Sequence, residues 1–412
     1  MTSTTYSWKE PRCIGDIVPK PLACDLPCKP RTWFTPSAYP GCCCWSDEGC
    51  EPRPRVIAFD LDSTLVETAS NSTFAKNASD WKWFCPEVPA VLQRLHREGF
   101  KLVIMSNQLG ITKGNTTHAE VQGRMEQVVR AAGVPMQCFY ATHNDFCRKP
   151  RPGMWIVLAA LFNGGVPIDV AHSLYVGDAA GRPKTKARKK DFSRGDLVFA
   201  QNVGLGFQVP EHTFLGEPVD SSVWDVPGMH PLLEAEAVHR DAGIKPFEAK
   251  APSAQELVVL VGPPAAGKST LSKAMEPWYA RVNQDVLGTK KKCLDAARAH
   301  LAAGRSVVVD ATNKDVATRS DWVALARECR VPCRALVLAV TKDQCFHQLA
   351  FRVSNPASED PRSVPDMIIH GFFKNSVAPT AREGFSQVDT VSCVPDACAS
   401  PLEAFLMACH LE

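Results

Sequence analysis

Val56-Ile57-Ala58-Phe59-Asp60-Leu61-Asp62-Ser63-Thr64-Leu65 is the stretch from which the fold can be read. Four apolar residues in a row, too few for a helix, predict a strand buried on both faces, the kind found in parallel sheets. Two carboxylates at i and i+2 then emerge at its carboxyl end, where open α/β sheets place their ligand crevices. Around this strand, extended runs at 102–105, 174–176 and 197–199 alternate with helical ones at 89–97, 119–132 and 153–162. That alternation predicts a parallel sheet with crossover helices. A second alternation starts at Glu256 and runs nearly to the C-terminus. The expected fold class is therefore α/β, with two doubly wound parallel-sheet domains.

Length and composition agree with two domains. The chain has 412 residues, 45% apolar and 22% charged, which is soluble globular material too long for one ordinary core. Residues 1–54 carry nine prolines and no sustained periodicity and are expected to form a Cys- and Pro-rich extension. The first domain is expected at 55–210, a Pro- and Gly-rich connector at 211–253 with a short helix at 232–238, and the second domain at 254–412. No apolar run approaches the roughly 20 residues of a membrane span, and the N-terminus has no apolar signal region. An intracellular protein without a membrane partner is expected. Seventeen cysteines, mostly scattered singly, are expected to be reduced thiols. In the extension, Cys13, Cys24, Cys28, Cys42, Cys43, Cys44 and Cys50 leave two readings, a zinc module or a loosely ordered extension. The lack of a paired C-x₂-C favours the extension.

Gly262-Pro263-Pro264-Ala265-Ala266-Gly267-Lys268-Ser269-Thr270 is a complete P-loop pattern placed after an apolar strand run and before a helical one, the context that makes the match specific. Its backbone N–H groups, with Gly262, Gly267, Lys268, Ser269 and Thr270, would cradle the phosphates of ATP. Lys268 would bridge the β- and γ-phosphates and Ser269 would ligate Mg²⁺. Asp285, one extended segment further on, is placed either to accept the proton of an attacking hydroxyl or to cap the next helix; its position beyond the P-loop favours the base. Asp310 ends an apolar run in a Walker-B-like place. Arg352 is a candidate lid arginine for transition-state charge.

In the first domain the D-x-D pair is weak evidence by itself, and its companions decide. Ser106-Asn107, Lys149-Pro150 and Gly177-Asp178 each follow an extended run or a polar loop. They supply a hydroxyl, a cation and another carboxylate, which is what a phosphoryl site needs. These four motifs resemble those of the haloacid dehalogenase-type phosphatases. The resemblance implies Asp60 as the nucleophile that becomes an aspartyl-phosphate and Asp62 as the acid and then base. Ser106 and Lys149 would bind the transferring phosphoryl group. Mg²⁺ would lie on Asp60, Asp178 and the backbone carbonyl of Asp62. One departure is Ser63, where the family usually has Gly, so a side chain is expected to crowd that turn and lower activity.

The whole chain, from about Val56 to Phe385, resembles the eukaryotic polynucleotide kinase 3′-phosphatases. The matching segments include Ser79-Asp80-Trp81, Pro86-Glu87-Val88-Pro89, Ala141-Thr142-His143, Gly153-Met154-Trp155, Lys189-Lys190-Asp191-Phe192-Ser193 and Glu383-Gly384-Phe385. The resemblance implies removal of a 3′-phosphate by the first domain and ATP-dependent phosphorylation of a 5′-hydroxyl by the second. DNA ends and the ligation machinery are the implied partners, and a nucleus the implied location, with an organellar pool as the alternative. Two departures follow. Fifty-four residues are too few for the forkhead-associated domain of the larger members, so phosphopeptide scaffolds are not expected as partners. Gln284 stands where Arg is common, which weakens an expected interaction with phosphate.

Net charge is only +2, yet Arg182, Lys184, Lys186, Arg188, Lys189 and Lys190 fall within nine residues. Arg182, Lys186, Arg188, Lys189 and Lys190, with Asn107, are the expected substrate contacts, a strand being guided by its phosphates. A nuclear-import signal or a solvated loop are the other readings of that run. Trp81, Trp83 and Trp155 would either stack on bases or sit in the core, where aromatics near apolar residues are more often found. A metabolite kinase–phosphatase fusion, or a nucleic-acid-binding scaffold with inactive domains, are the alternatives; 5′-labelling of an oligonucleotide separates the first, and retention of all the catalytic groups argues against the second.

Overall fold

The computed structural model describes residues 9, 29–186, 188–358, 361–395 and 398–411. Cys13, Cys24 and Cys28 lie outside these residues. The chain forms two compact units. The first runs up to Gly228 and also takes Phe351–Pro361 and the C-terminal helix Pro401–Ala408; the second comprises Met229–Ala350 and Arg362–Asp396.

The first unit is built on a six-stranded sheet in the order Cys42–Ser46, Met136–Ala141, Lys101–Asn107, Val56–Phe59, Leu174–Val176, Gly206–Gln208. All its pairs are parallel except the edge strand Cys42–Ser46, which runs antiparallel to Met136–Ala141. Val56–Phe59 is fully buried and is flanked by Lys101–Asn107 on one side and Leu174–Val176 on the other, the strand order running outward in opposite directions from it, so its carboxyl end lies at a topological switch point. The helix His118–Ala132 covers one face. Its first turn is closed by a capping box between Thr117 and Glu120, and its last by left-handed Gly133, φ 69°, which fixes both ends. Val121, Met125 and Val128 of this helix pack with Ile57, Phe59, Leu102 and Ile104.

The second unit has a five-stranded, wholly parallel sheet, ordered Tyr279–Asn283, Ser306–Asp310, Leu257–Val261, Cys333–Ala339, Gln387–Ser392. Period-2 geometry sends alternate residues of the central strands to opposite faces. Leu257, Val259 and Val261 enter one core with Trp322, while Val258 and Leu260 enter another with Met275 and Leu336. Leu257–Val261 again sits between strands of later sequence on both sides, and the P-loop leaves its carboxyl end.

Three sequence expectations differ from this architecture. Leu197–Phe199, expected as a strand, lies inside the helix Gly195–Val203; a short apolar run does not separate a buried helix from a strand, and the strand at that sheet edge is Gly206–Gln208. The described part of the 1–54 segment is not a free extension, because Cys42, Cys43 and Cys44 belong to a paired edge strand. The 254–412 stretch is not one continuous unit either: His410 N donates to Asn202 Oδ1 at 2.9 Å and Asn202 Nδ2 to His410 O at 2.7 Å, joining the C-terminus to the first sheet's unit. The described cysteines carry free thiols. Among the described residues, no helix is long and apolar enough to cross a membrane.

Candidate active sites

Asp60 is the first residue past its strand, and its N–H donates to Val176 O at 2.9 Å. Its carboxylate is buried and takes the Lys149 ammonium at 2.7 Å. Lys149 also reaches Asp196 Oδ1 at 2.7 Å and the Tyr175 hydroxyl at 2.6 Å, and Tyr175 in turn donates to Met105 O at 3.0 Å. Carboxylate oxygens of Asp60, Asp178 and Asp196 lie within 4.8 Å of one another. Three carboxylates around one ammonium leave excess negative charge in a buried place. Burial above all, then Asp196 and Asp62 against the opposing pull of Lys149, pushes Asp60 up to about 7. Burial, with the charges of Asp196 and Asp60 beside it, holds Asp178 well above the carboxylate range. Burial disfavours the Lys149 ammonium, but Asp196 and Asp60 outweigh it and the net shift is upward. A divalent cation relieves this crowding, so the donor set fits Mg²⁺.

A pH dependence follows. Folded Asp60 keeps its proton up to about 7, whereas an unfolded Asp releases it near about 4. Between those values the folded state binds more protons, so the stability of the metal-free first unit should fall as pH rises through that window. Melting with a chelator should give a lower Tm at pH 8 than at pH 5, and added Mg²⁺ should raise the Tm more at pH 8. Equal Mg²⁺ shifts at both values would contradict the crowded-carboxylate account.

Asp196 is absent from the sequence-derived set. Gly177 makes room for it, since a Cβ there would come within 2.4 Å of Asp196 Oδ2, and Ala179 N–H donates to the same carboxylate at 3.1 Å. Reading its segment as a strand hid it. Ser106 is buried and its hydroxyl accepts Gln108 Nε2 at 2.9 Å. Asn107 and Lys149 exchange two 3.0 Å bonds, Asn107 Nδ2 to Lys149 O and Lys149 N to Asn107 Oδ1. Asn107 thus holds the lysine's backbone, which differs from the substrate contact expected of it. Ser63 adopts φ 60°, with its N–H donating to Val66 O at 2.8 Å. The left-handed turn that usually calls for Gly is accommodated, at a cost of about 1 kcal/mol.

The basic run divides. Arg182 is buried, pairs with Asp191 at 2.8 Å and Glu211 at 3.0 Å, and donates to Asp178 O at 3.1 Å. Arg188 takes the other Asp191 oxygen at 2.8 Å. These two guanidiniums brace the loop, against the expectation that they meet substrate; Asp191, just past the run, draws them inward. Lys184, Lys186, Lys189 and Lys190 are exposed. Trp155 is fully buried, and Trp81 and Trp83 pack edge to face at 5.3 Å beside the core.

In the second unit the P-loop curls through left-handed Ala265, φ 62°, and Gly267, φ 92°. The helix Lys268–Met275 then starts with its free N–H groups at the loop, an anion-binding arrangement. Lys268 is buried and donates to Gly262 O at 3.0 Å and Pro263 O at 2.6 Å. Burial lowers it to about 8, against the opposing charges of Asp310 and Asp285. Asp310 Oδ2 accepts Arg281 Nη2 at 2.6 Å, Asn283 Nδ2 at 2.7 Å and Ser272 Oγ at 3.0 Å. Burial alone would raise its pKa, but hydrogen bonds from Arg281, Asn283 and Ser269 outweigh that and the carboxyl titrates below the usual range. Asp310 therefore ties the start of the P-loop helix to the sheet. Asp285 does not cap the helix Gln284–Leu287; Asn283 Oδ1 does, accepting Val286 N at 3.0 Å. Asp285 is mostly exposed, with Arg362 3.9 Å away. Arg352 lies in the last turn of the helix Lys342–Ser354, within the Phe351–Pro361 segment that belongs to the first unit.

Together these centres define an α/β enzyme with a haloacid dehalogenase-like phosphatase site and a P-loop kinase site. Residues 55–214 match the family Polynucleotide kinase 3 phosphatase, and residues 288–372 match an AAA domain. The chain is 36% identical over 346 residues to the bifunctional polynucleotide phosphatase/kinase of Schizosaccharomyces pombe, covering 83% of this chain and 81% of that one. It is 37% identical over 183 residues to the polynucleotide 3′-phosphatase ZDP of Arabidopsis thaliana, covering 41% of this chain and 25% of that one. The chain belongs to the bifunctional polynucleotide phosphatase/kinase family.

Proposed function

We propose that the first unit hydrolyses 3′-phosphates on DNA ends through an aspartyl-phosphate on Asp60, and that the second phosphorylates 5′-hydroxyl ends with ATP. The observation that carries this reading is the Asp60–Lys149–Asp196 cluster at a switch point, with Asp62 beside it, in a chain that also holds a complete P-loop. An Asp60 oxygen attacks phosphorus and the P–O3′ bond breaks, its electron pair leaving with the 3′-oxygen, which takes a proton from Asp62. Water then attacks the phosphoryl group, Asp62 accepts its proton, and the P–O bond to Asp60 breaks to return the carboxylate. Lys149 and Ser106 hold the nonbridging oxygens. Asp60, Asp178 and the Asp62 carbonyl would hold Mg²⁺, which would supply charge neutralisation. In the kinase, Asp285 takes the proton of the 5′-hydroxyl as it attacks the γ-phosphorus of ATP, and the bond from that phosphorus to the β,γ-bridging oxygen breaks, its electron pair leaving with ADP; Lys268 meets the β- and γ-phosphates and Ser269 would hold Mg²⁺. Gly262, Gly267 and Thr270 shape the loop around them. The products are ligatable ends, and a nuclear location with repair partners suits that task. Parallel assays on a 3′-phosphorylated oligonucleotide and on sugar phosphates test the substrate class; faster turnover of the sugar phosphates would favour the metabolite alternative.

The exposed lysines make a further test. Neutralising Lys184, Lys186, Lys189 and Lys190 should weaken binding of a 3′-phosphorylated single strand and reduce the log–log salt slope by about 0.7 for each phosphate that no longer meets a lysine. Hydrolysis of p-nitrophenyl phosphate should be unaffected. An unchanged salt slope would mean that the strand enters elsewhere.

A further inference from the structure

Arg124 sits in the middle of the helix His118–Ala132 with its side chain 7% exposed, among core-facing residues of that helix. A buried guanidinium needs a counter-charge, because an unpaired one is strongly destabilising. Among the described residues its carboxylate is Asp62, met by both arms: Nη1 to Oδ1 at 3.2 Å and Nη2 to Oδ2 at 3.4 Å. Nε is buried with no partner, so the charge has no second anchor there. Asp62 itself is 47% exposed, one side on the guanidinium and one open. A second donor fixes it: Gln108 Nε2 reaches Asp62 Oδ2 at 2.8 Å and Ser106 Oγ at 2.9 Å. A carboxylate only accepts, so the amide nitrogen must face it and the orientation of Gln108 is determined.

We infer that Arg124 is a positioning residue for the phosphatase reaction: with Gln108 it brackets the Asp62 carboxyl so that its open edge meets the leaving 3′-oxygen. The inference rests on Asp62 acting as the acid and base. A proton donor must lie within hydrogen-bond reach of the atom it serves, and an unbraced Asp turns freely about its side-chain bonds. The capping box and left-handed Gly133 fix both ends of the helix that carries Arg124, so Arg124 sets the angle. Gln108 links the same carboxyl to the hydroxyl that holds the phosphoryl group, so that both sit in one frame.

The leaving group provides the test. An alkoxide such as the 3′-oxygen needs a proton as the P–O bond breaks, whereas p-nitrophenolate leaves without one. R124M should therefore slow single-turnover cleavage of a 3′-phosphorylated oligonucleotide by about 10²-fold, with KM within about twofold. The first-turnover burst of p-nitrophenolate from p-nitrophenyl phosphate should keep close to its parental rate. R124K, which retains the buried charge, should show the same selective loss to a smaller degree, and it carries the test if R124M does not fold. Equal losses on both substrates, or no loss on either, would overturn the positioning role. D62A run in parallel separates the two levels: if it leaves oligonucleotide cleavage intact, the acid–base reading of Asp62 fails, whatever Arg124 does.

Discussion

Asp60→Asn is expected to lower 3′-phosphate release by at least about 10³-fold, because the amide cannot serve as the nucleophile and no other route to the aspartyl-phosphate exists. The substitution is nearly isosteric and removes negative charge from a cluster that has too much of it, so the first unit should fold and melt no lower than the parent. Lys149 keeps Asp196 as a partner at 2.7 Å. Phosphorylation of 5′-hydroxyls should stay within about twofold of the parent, since the P-loop belongs to a unit with its own core. Release of 3′-phosphate is followed on a labelled oligonucleotide, and undiminished turnover would remove Asp60 from its assigned role.

Lys268→Ala is expected to give the mirror result, with 5′-phosphorylation falling by about 10²-fold or more and 3′-phosphatase activity unchanged. The ammonium donates to the Gly262 and Pro263 carbonyls, inside the loop that is to receive the phosphates. The binding of ATP would draw it onto β- and γ-oxygens and replace two neutral acceptors by charged ones. Alanine leaves the backbone N–H groups in place, so weak nucleotide binding should persist while transfer fails. End-labelling with ATP near the parental rate would show that the loop serves another purpose.

The parts of both sites that were legible in the sequence are those whose chemistry follows directly from a buried strand. Asp60, Asp62, Asp178 and the P-loop each stand within a few residues of an apolar run, so strand, turn and polar group could be read together. What could not be read depends on contacts distant in sequence. Asp196 reaches its place only because the helix Gly195–Val203 packs beneath Gly177, and a run of Leu197-Val198-Phe199 looks the same in a helix or a strand. Arg124 reads as an ordinary cation on an amphipathic helix; its burial and its pairing with Asp62, 62 residues away in sequence, come from tertiary packing. The basic run misleads for a similar reason. Asp191 stands one residue beyond it and turns Arg182 and Arg188 inward, so counting positive charge overstated the surface that four lysines actually present. Asp310 was placed correctly at its strand end, but its hold on Arg281, Ser272 and Asn283 needed the parallel register of Tyr279–Asn283 beside Ser306–Asp310.

The central claim is that one chain both removes and adds phosphate to make an end ligatable. It is tested most directly on a nicked duplex bearing a 3′-phosphate and a 5′-hydroxyl, incubated with the enzyme, Mg²⁺ and ATP and then with a DNA ligase. The account predicts sealing by the parent, none by D60N or K268A alone, and restored sealing when the two variants are mixed. Sealing by either variant alone, or failure of the parent to convert both termini, would contradict it.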